Sequence, residues 1–204
     1  MAQTYAIIFD CEFLTTEDAP QRFWNGPFDP DPIVVQIGAI RLDLTDNFAL
    51  SERLRLHVRP RDREGRPVAL DPFFSRLTGI TQARIETDGL DLEEALDRLS
   101  VFAGHARLWS WGKDELNMMG ISCYVAGISA PIPPARFGNA CALLLKAGMD
   151  YEDVKTTRSH TLPAKFGIES VDLSAHDALD DAISVALTLQ HLLRAGRLQP
   201  SDCA

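Results

Sequence analysis

The chain has 204 residues, 46% of them hydrophobic and 24% charged, which suits one globular domain over residues 1–204 with a substantial core. It has no run of eighteen apolar residues and no basic stretch before its first apolar residues, so we expect no membrane span, no signal peptide and a cytoplasmic location. Its net charge of −9 disfavours nucleic-acid binding through bulk charge alone, but does not exclude an enzyme whose carboxylates bind metal ions and so reverse the local charge.

Three strands are predicted in the N-terminal part of the chain. Residues 4–12 form an apolar run that ends in two acids, residues 32–43 form a second strand, and residues 51–60 alternate apolar and charged side chains as a half-buried strand does. The first link, residues 15–32, is a loop rich in proline and glycine, and no helical pattern separates the strands. This pattern is typical of an antiparallel meander.

Helical and strand patterns alternate in the rest of the chain. A short helix is followed by a turn at Gly79, and Thr81 is placed to cap a second short helix. The elements predicted after these are a helix over 91–104, a strand over 106–111, a helix over 113–127, a strand over 135–140, a helix from Cys141, a short helix over 159–167 and an amphipathic helix over 176–196. With the meander, they predict an α/β fold in which helices flank a mixed five-stranded sheet.

Two acids, Asp10 and Glu12, end the first predicted strand in the sequence IIFDCEFL. Because residues two apart on a strand point to the same side, the two carboxylates project together. Carboxylates this close repel each other unless a cation neutralises them, and Mg²⁺ prefers oxygen ligands. The pair is a candidate metal site, and the alternative is two solvated acids at a strand end.

Further candidates stand where later helices begin. Asp114 follows a predicted strand near the start of a helix, a place where the helix dipole alone also favours an acid. In HDALDD, Asp181 lies in the first turns of the last helix and His176 precedes it. A histidine near that helix can accept a proton from a water that attacks phosphorus. With the first pair, these carboxylates would suit two divalent ions, one to activate water and one to stabilise the leaving oxygen.

The order and spacing of these segments resemble the DEDDh group of 3′–5′ exonucleases, which share a ribonuclease H-like fold, over nearly the whole chain. IIFDCEFL is similar to the first exonuclease motif, VVQIGAI to the second strand, and RLTGIT to the TGI segment. LWSWGKDELNMM resembles the second motif, and HDALDDA matches the third motif, H-x-x-x-x-D. The segment WSWGKD and the long loop after Glu12 favour the ERI-1-like branch, whose members often process RNA.

The resemblance implies a metal-dependent enzyme that hydrolyses phosphodiester bonds at the single-stranded 3′ end of RNA or DNA and releases nucleoside 5′-monophosphates. It implies two ions, Mg²⁺ or Mn²⁺, and a homodimer, since relatives are often homodimeric. The implied general base is His176, and the implied metal ligands are Asp10, Glu12, Asp114 and Asp181. Asp180 competes with Asp181, but the motif spacing favours Asp181. In WGKD, Asp114 stands one residue nearer the tryptophan than in ERI-1-like relatives.

Substrate contacts are expected from the residues that follow Glu12. Many relatives carry threonines there to touch the terminal nucleotide, whereas this chain has Phe13 and Leu14. Aromatic side chains of the following loop can stack on bases, so the substrate-binding residues predicted are Phe13, Leu14 and Trp24, with Phe23 and Phe28 as further candidates. The alternative is a loop that its aromatic residues pin to the domain, which is slightly favoured for Trp24 and Phe28.

Two other functions remain open on the sequence. The haloacid dehalogenase-like phosphatases end a strand in D-x-D-x-T and use the first Asp as nucleophile, but Glu12 and Leu14 depart from that pattern and HDALDD has no role in it. A non-catalytic nucleic-acid-binding domain of the same fold is the second. Such a domain would be expected to have lost at least one acting residue, and this chain carries all five.

Overall fold

The computed structural model describes residues 3–45, 47–169 and 173–204, and its five strands form one mixed sheet. The strands are β1 (Tyr5–Phe13), β2 (Val34–Asp43), β3 (Leu50–His57), β4 (Leu108–Ser110) and β5 (Phe137–Asn139). In the order β3-β2-β1-β4-β5, β2 runs antiparallel to both β1 and β3, whereas β4 runs parallel to β1 and β5 parallel to β4. The predicted meander followed by parallel strands is confirmed.

The helices of the described residues surround this sheet. They are α1 (Pro72–Thr78), α2 (Gln82–Asp88), α3 (Leu92–Ala103), α4 (Asp114–Ala126), α5 (Ala140–Lys146), α6 (Tyr151–Thr156), α7 (Leu162–Lys165), α8 (Ala178–Arg194) and α9 (Pro200–Cys203). Thr81 caps α2 as predicted, whereas α6 and α9 were not predicted. In the described ranges no helix combines the length and the apolar character that crossing a membrane requires.

The long C-terminal helix begins two residues later than the sequence predicts. Asp177 is its N-cap, and its side chain accepts hydrogen bonds from the backbone N–H groups of Leu179 and Asp180. His176 lies just outside the helix with φ 63°, a left-handed conformation that is unusual for a residue other than glycine. The cap therefore fixes where α8 starts and leaves His176 in the approach to it.

One face of the sheet is covered by α8. Ile8 and Ile40 pack there against apolar residues of the helix such as Ala186 and Leu189, all of them fully buried. Gly38 of β2 allows the close approach, because a Cβ at this position would lie 2.1 Å from the backbone nitrogen of Leu179. The N-terminal turn of α8 is therefore held directly against the sheet.

The opposite face of the sheet is covered by α3 and α4. Phe9 of β1, Leu99 of α3 and Met119 of α4 belong to the apolar cluster on this side. A third cluster, which includes Leu14 and Phe74, lies under the segment that follows β1. Side chains of β1 thus alternate between two cores, and the direction of each residue near the strand end is decided by this alternation.

Candidate active site

Asp10 and Glu12 lie at the carboxyl end of β1, in the middle of the sheet. They belong to the face of the strand that carries Ala6 and Ile8, which pack toward α8. Asp10 pairs across the sheet with Gly38, the residue on which the first turn of α8 rests. The buried strand is therefore a rigid platform that directs both carboxylates at the N-terminal end of α8.

Asp181 approaches the same place from the first turn of α8. Its side chain is 4% exposed, and both of its carboxylate oxygens are occupied. Oδ2 accepts the backbone N–H of His176 at 3.0 Å, and Oδ1 accepts the hydroxyl of Ser159 at 3.2 Å. The carboxylate is thus oriented before any ligand binds, and the same hydrogen bond holds the backbone of His176 beside it.

Four of the five residues predicted from the motifs converge. Glu12, His176 and Asp181 each offer one ligand atom, and these three atoms lie within 4.8 Å of one another. Asp10 adjoins them, since the charges of Glu12 and Asp181 both act on its carboxyl group. This is the geometry in which side chains from a strand and a helix could share a cation and a water molecule.

The fifth predicted residue, Asp114, is not in this group. It is the first residue of α4 and is exposed, whereas the next residue, Glu115, is 5% exposed and turned toward the sheet with Met119 and Cys123. Successive residues of a helix differ in direction by about 100°, so packing α4 on its apolar face brings Glu115 inward and leaves Asp114 outside. The structure therefore corrects the prediction: the carboxylate that meets Asp10 is that of Glu115.

Glu115 is held by β4 and β1. The hydroxyl of Ser110, the last residue of β4, donates to its carboxylate, and its carboxyl group is hydrogen-bonded to that of Asp10. One oxygen, Oε2, is buried and has no hydrogen-bond partner among the described residues. A buried charged oxygen without a donor is costly, so this atom indicates a missing partner such as a cation.

The carboxyl groups of the cluster all have raised pKa values. Burial, with the charges of Asp181, Asp177 and Glu115, raises the pKa of Glu12 from 4.5 to about 8. Burial also raises the pKa of Glu115 to about 7 and, together with neighbouring negative charges, that of Asp10 well above its ordinary range. For Asp181, burial outweighs the hydrogen bonds that favour its ionised form, so its pKa is raised as well.

These observations test whether the residues suit a cation. The four carboxylates are desolvated, they repel one another, and no described lysine or arginine forms an ion pair with any of them. A bound divalent cation would reverse each of these penalties and would supply the partner that Glu115 Oε2 lacks. The donor set, carboxylates with one histidine, fits Mg²⁺ or Mn²⁺.

The residues predicted to bind substrate are placed less favourably. Leu14 is 2% exposed inside the third apolar cluster, so its side chain cannot contact a nucleotide and that prediction is wrong. Phe13 is partly buried against the cluster that contains Phe9, on the face opposite α8. Trp24 is partly buried, and its indole N–H donates to the Leu14 carbonyl at 2.9 Å, which ties the loop to the domain. Phe28, by contrast, is 93% exposed.

Residues outside the predicted site hold the start of α8. Gln36 of β2 is 1% exposed; its side-chain oxygen accepts the Ala178 backbone N–H at 2.8 Å and its amide nitrogen donates to Asp177 at 3.1 Å. Arg55 of β3 donates to Asp177 at 2.7 Å and to Asp180 at 3.4 Å. Asp180 therefore belongs to the support of the helix, whereas Asp181 faces the cluster.

The sequence contained a signal for one missed residue and none for the others. Asp114 stands one residue too near the tryptophan of the second motif, and this shift points to Glu115. Ser159 and Gln36 reach the site from a turn and a neighbouring strand. Their contacts are made across 22 and 142 residues of chain, so no local spacing could reveal them.

The sequence matches no protein-family profile and no curated protein. The structure, however, is similar to a full-length 3′-exonuclease, with a TM-score of 0.75 and 18% identity over 96% of this chain. It is also similar to a 3′-exonuclease that recognises the 3′ end of a histone mRNA stem-loop, with a TM-score of 0.73 and 19% identity over 96% of this chain. A third similar structure is zinc-bound exonuclease I of E. coli in complex with single-stranded DNA, with a TM-score of 0.66 and 18% identity over 98% of this chain.

These comparisons define the fold of the chain, which is the ribonuclease H-like fold of DEDDh-type exonucleases, as the motifs predicted. The chain spans 62%, 84% and 42% of the lengths of the three similar structures. At this identity, the fold is what is shared. The chemistry must therefore be argued from the cluster of this chain.

Proposed function

We propose that the chain is a metal-dependent 3′–5′ exonuclease that acts on single-stranded ends of RNA or DNA. The observation that carries the proposal is the convergence of four desolvated carboxylates and a histidine at the end of β1, where no lysine or arginine of the described residues pairs with the carboxylates. The fold shared with 3′-exonucleases supports the direction of digestion and the class of substrate.

Asp10, Glu12, Glu115 and Asp181 would hold two divalent ions, Mg²⁺ or Mn²⁺, whose chemistry is to neutralise phosphate charge and acidify water. Glu115 takes the position that the resemblance assigned to Asp114. His176 accepts the proton of the attacking water at a ring nitrogen, since its backbone is tied to Asp181 and its ring lies within the cluster. The water oxygen forms a bond to phosphorus, and the bond to the 3′ oxygen of the preceding nucleotide breaks. That oxygen takes a proton from solvent to become the new 3′ hydroxyl, and a nucleoside 5′-monophosphate leaves.

Bases of the strand would meet the loop after β1. Phe23 and Phe28 are 80% and 93% exposed, and the loop that carries them is held by the bond from Trp24 to Leu14. Arg22 and Asp29 also form an ion pair at 2.6 Å across this loop. Exposed aromatic rings on a fixed backbone suit base stacking, which tolerates any sequence. Phe28 and Phe23 therefore replace Leu14 as the proposed contacts to bases.

The test is digestion of 5′-labelled RNA and DNA strands in Mg²⁺, Mn²⁺ or EDTA. We expect a ladder that shortens from the 3′ end in either metal and is absent in EDTA and in Asp10→Asn. Asp97→Asn is the matched control, because Asp97 is an exposed acid on α3, across the sheet from the cluster. If both strands stay intact in both metals, the exonuclease proposal fails. Cleavage of small phosphate esters would then favour the phosphatase alternative, and intact esters the binding domain.

A further inference from the structure

His160 is a residue beside the cluster that the proposed reaction does not use. It lies in the 3₁₀ turn Ser159–Thr161, and its ring centroid is 5.9 Å from that of His176, with the two rings tilted by 53°. His176 itself lies with Glu12 and Asp181. His160 therefore reaches the edge of the cluster from a segment that none of the three exonuclease motifs contains.

The turn that carries His160 is fixed to α8 on two sides. The Ser159 hydroxyl donates to Asp181 at 3.2 Å, and the hydroxyl of the fully buried Ser184 donates to the Ser159 carbonyl at 2.7 Å. Both contacts join the turn to the helix that bears Asp181. The backbone position of His160 relative to the carboxylates is therefore set by the folded core.

Apart from its contact with the ring of His176, no hydrogen bond among the described residues explains the ring of His160. Its nitrogens have no hydrogen-bond partner in the described part of the chain, and the residue is only partly buried. Its charge nevertheless acts on Asp181: burial raises the pKa of that carboxyl group, and the backbone N–H of His176 and the positive charge of His160 oppose the rise. A histidine that served the core would have its nitrogens satisfied.

Among the described residues, no lysine or arginine pairs with the carboxylates of the cluster that is proposed to cleave a phosphodiester. The proposed metal ions would neutralise part of the phosphate charge, but they donate no hydrogen bond. Phosphate oxygens in protein complexes are usually held by N–H donors, and most strongly by charged ones. His176 is occupied as the proton acceptor, whereas His160 offers an N–H donor at the same edge.

We propose that His160 binds the phosphate of the 3′-terminal nucleotide by donating a ring N–H to one of its non-bridging oxygens. The proposal rests on the proposed function, since it names a substrate contact of that same site. His160 neither gives up nor receives a proton in this role. It holds the phosphorus in line for the water that His176 deprotonates. The competing explanation is that His160 only supports the His176 ring through the ring contact.

Three substitutions separate these explanations. His160→Ala removes ring and donor, His160→Phe keeps an aromatic ring without a donor, and His160→Gln keeps a donor without the ring. His105→Ala is the matched control, because His105 is an exposed histidine that precedes β4, at the opposite end of the parallel strands. Thermal unfolding of each variant confirms that it is folded.

Two assays are used: kcat and KM are measured on 5′-labelled strands in Mn²⁺, and the Kd of fluorescein-labelled oligo(dT) and oligo(U) is measured by anisotropy in Ca²⁺. We expect KM and Kd to rise about tenfold in the Ala and Phe variants, because each loses one charge-assisted hydrogen bond to the phosphate. Gln should restore most of the affinity, and His105→Ala should equal wild type. A Phe variant with wild-type binding, or an Ala variant with no effect, overturns the proposal.

A double-mutant cycle with His176→Ala completes the test. If His160 contacts the phosphate, His160→Ala still weakens binding about tenfold when His176 is absent. If it acts only through His176, that loss disappears, and the proposal is wrong. A wild-type protein that binds the strands without cutting them refutes the exonuclease, whereas the binding series still decides the role of His160. If the wild-type protein binds neither oligo(dT) nor oligo(U), both the exonuclease proposal and the proposal for His160 are wrong.

Discussion

Glu115→Gln should stabilise the metal-free protein at alkaline pH. The raised pKa of Glu115 means that the folded chain holds this proton more tightly than the unfolded chain does. The contribution of Glu115 to the free energy of unfolding is therefore most favourable below pH 4.5 and falls as the pH rises toward 7. Glutamine keeps the shape of the side chain but does not ionise, so it removes this loss.

The size of this stabilisation follows from the rise in the pKa of Glu115 and from the burial of its side chain. A rise in pKa from 4.5 to about 7 corresponds to about 3 kcal/mol, at 1.36 kcal/mol per pH unit. Glu115 is 5% exposed, so solvent screens little of this energy, but the proton it shares with Asp10 relieves part of it. We expect the free energy of unfolding of Glu115→Gln to exceed that of wild type by about 2 kcal/mol at pH 8, which corresponds to roughly 4–8 °C in Tm for a domain of this size. Near pH 4.5 we expect no difference.

The assay is thermal unfolding in EDTA across this pH range, with Asp114→Asn as the control. Asp114 is the adjacent acid but is exposed, and its charge adds only to the rise in the pKa of Glu115, so its variant should change the Tm much less than Glu115→Gln at every pH. Added Mn²⁺ should raise the Tm of wild type more than that of Glu115→Gln, because binding to the folded state stabilises it. The reasoning is refuted if Glu115→Gln is no more stable than wild type at pH 8, or if Asp114→Asn gives the larger gain.

Three further predictions concern residues on each side of the cluster. Asp10→Asn should abolish digestion and weaken Mn²⁺ binding measured by calorimetry; full Mn²⁺ affinity would remove Asp10 from the metal site. His176→Ala should lower kcat by roughly 10²-fold or more while Mn²⁺ still binds, and an unchanged rate would contradict its role as base. Gly38→Ala should lower the free energy of unfolding by about 3 kcal/mol in urea titrations, because its Cβ would overlap the backbone of Leu179; an unchanged free energy of unfolding would contradict this close approach.

The sequence determined much of the site because some of its geometry is local. Asp10 and Glu12 share a face by the two-residue period of a strand, and the apolar run before them requires that strand to be buried. Asp177, Asp180 and Asp181 follow one another at a helix start. The sequence therefore predicted that the start of this helix brings an acid to the site, and the motif spacing favoured Asp181 as the metal ligand.

Tertiary packing decided what local spacing leaves open. Asp114 and Glu115 are adjacent acids at one helix start, and only the packing of α4 on the sheet turns Glu115 inward. Leu14 follows β1 directly, yet the third apolar cluster buries it. His160 meets His176 because the turn that carries it is fastened to α8 by side chains far away in sequence. Each outcome depends on which arrangement of the helices and strands buries the most apolar area. The buried area is a property of the whole fold, so the residues of one motif do not determine it.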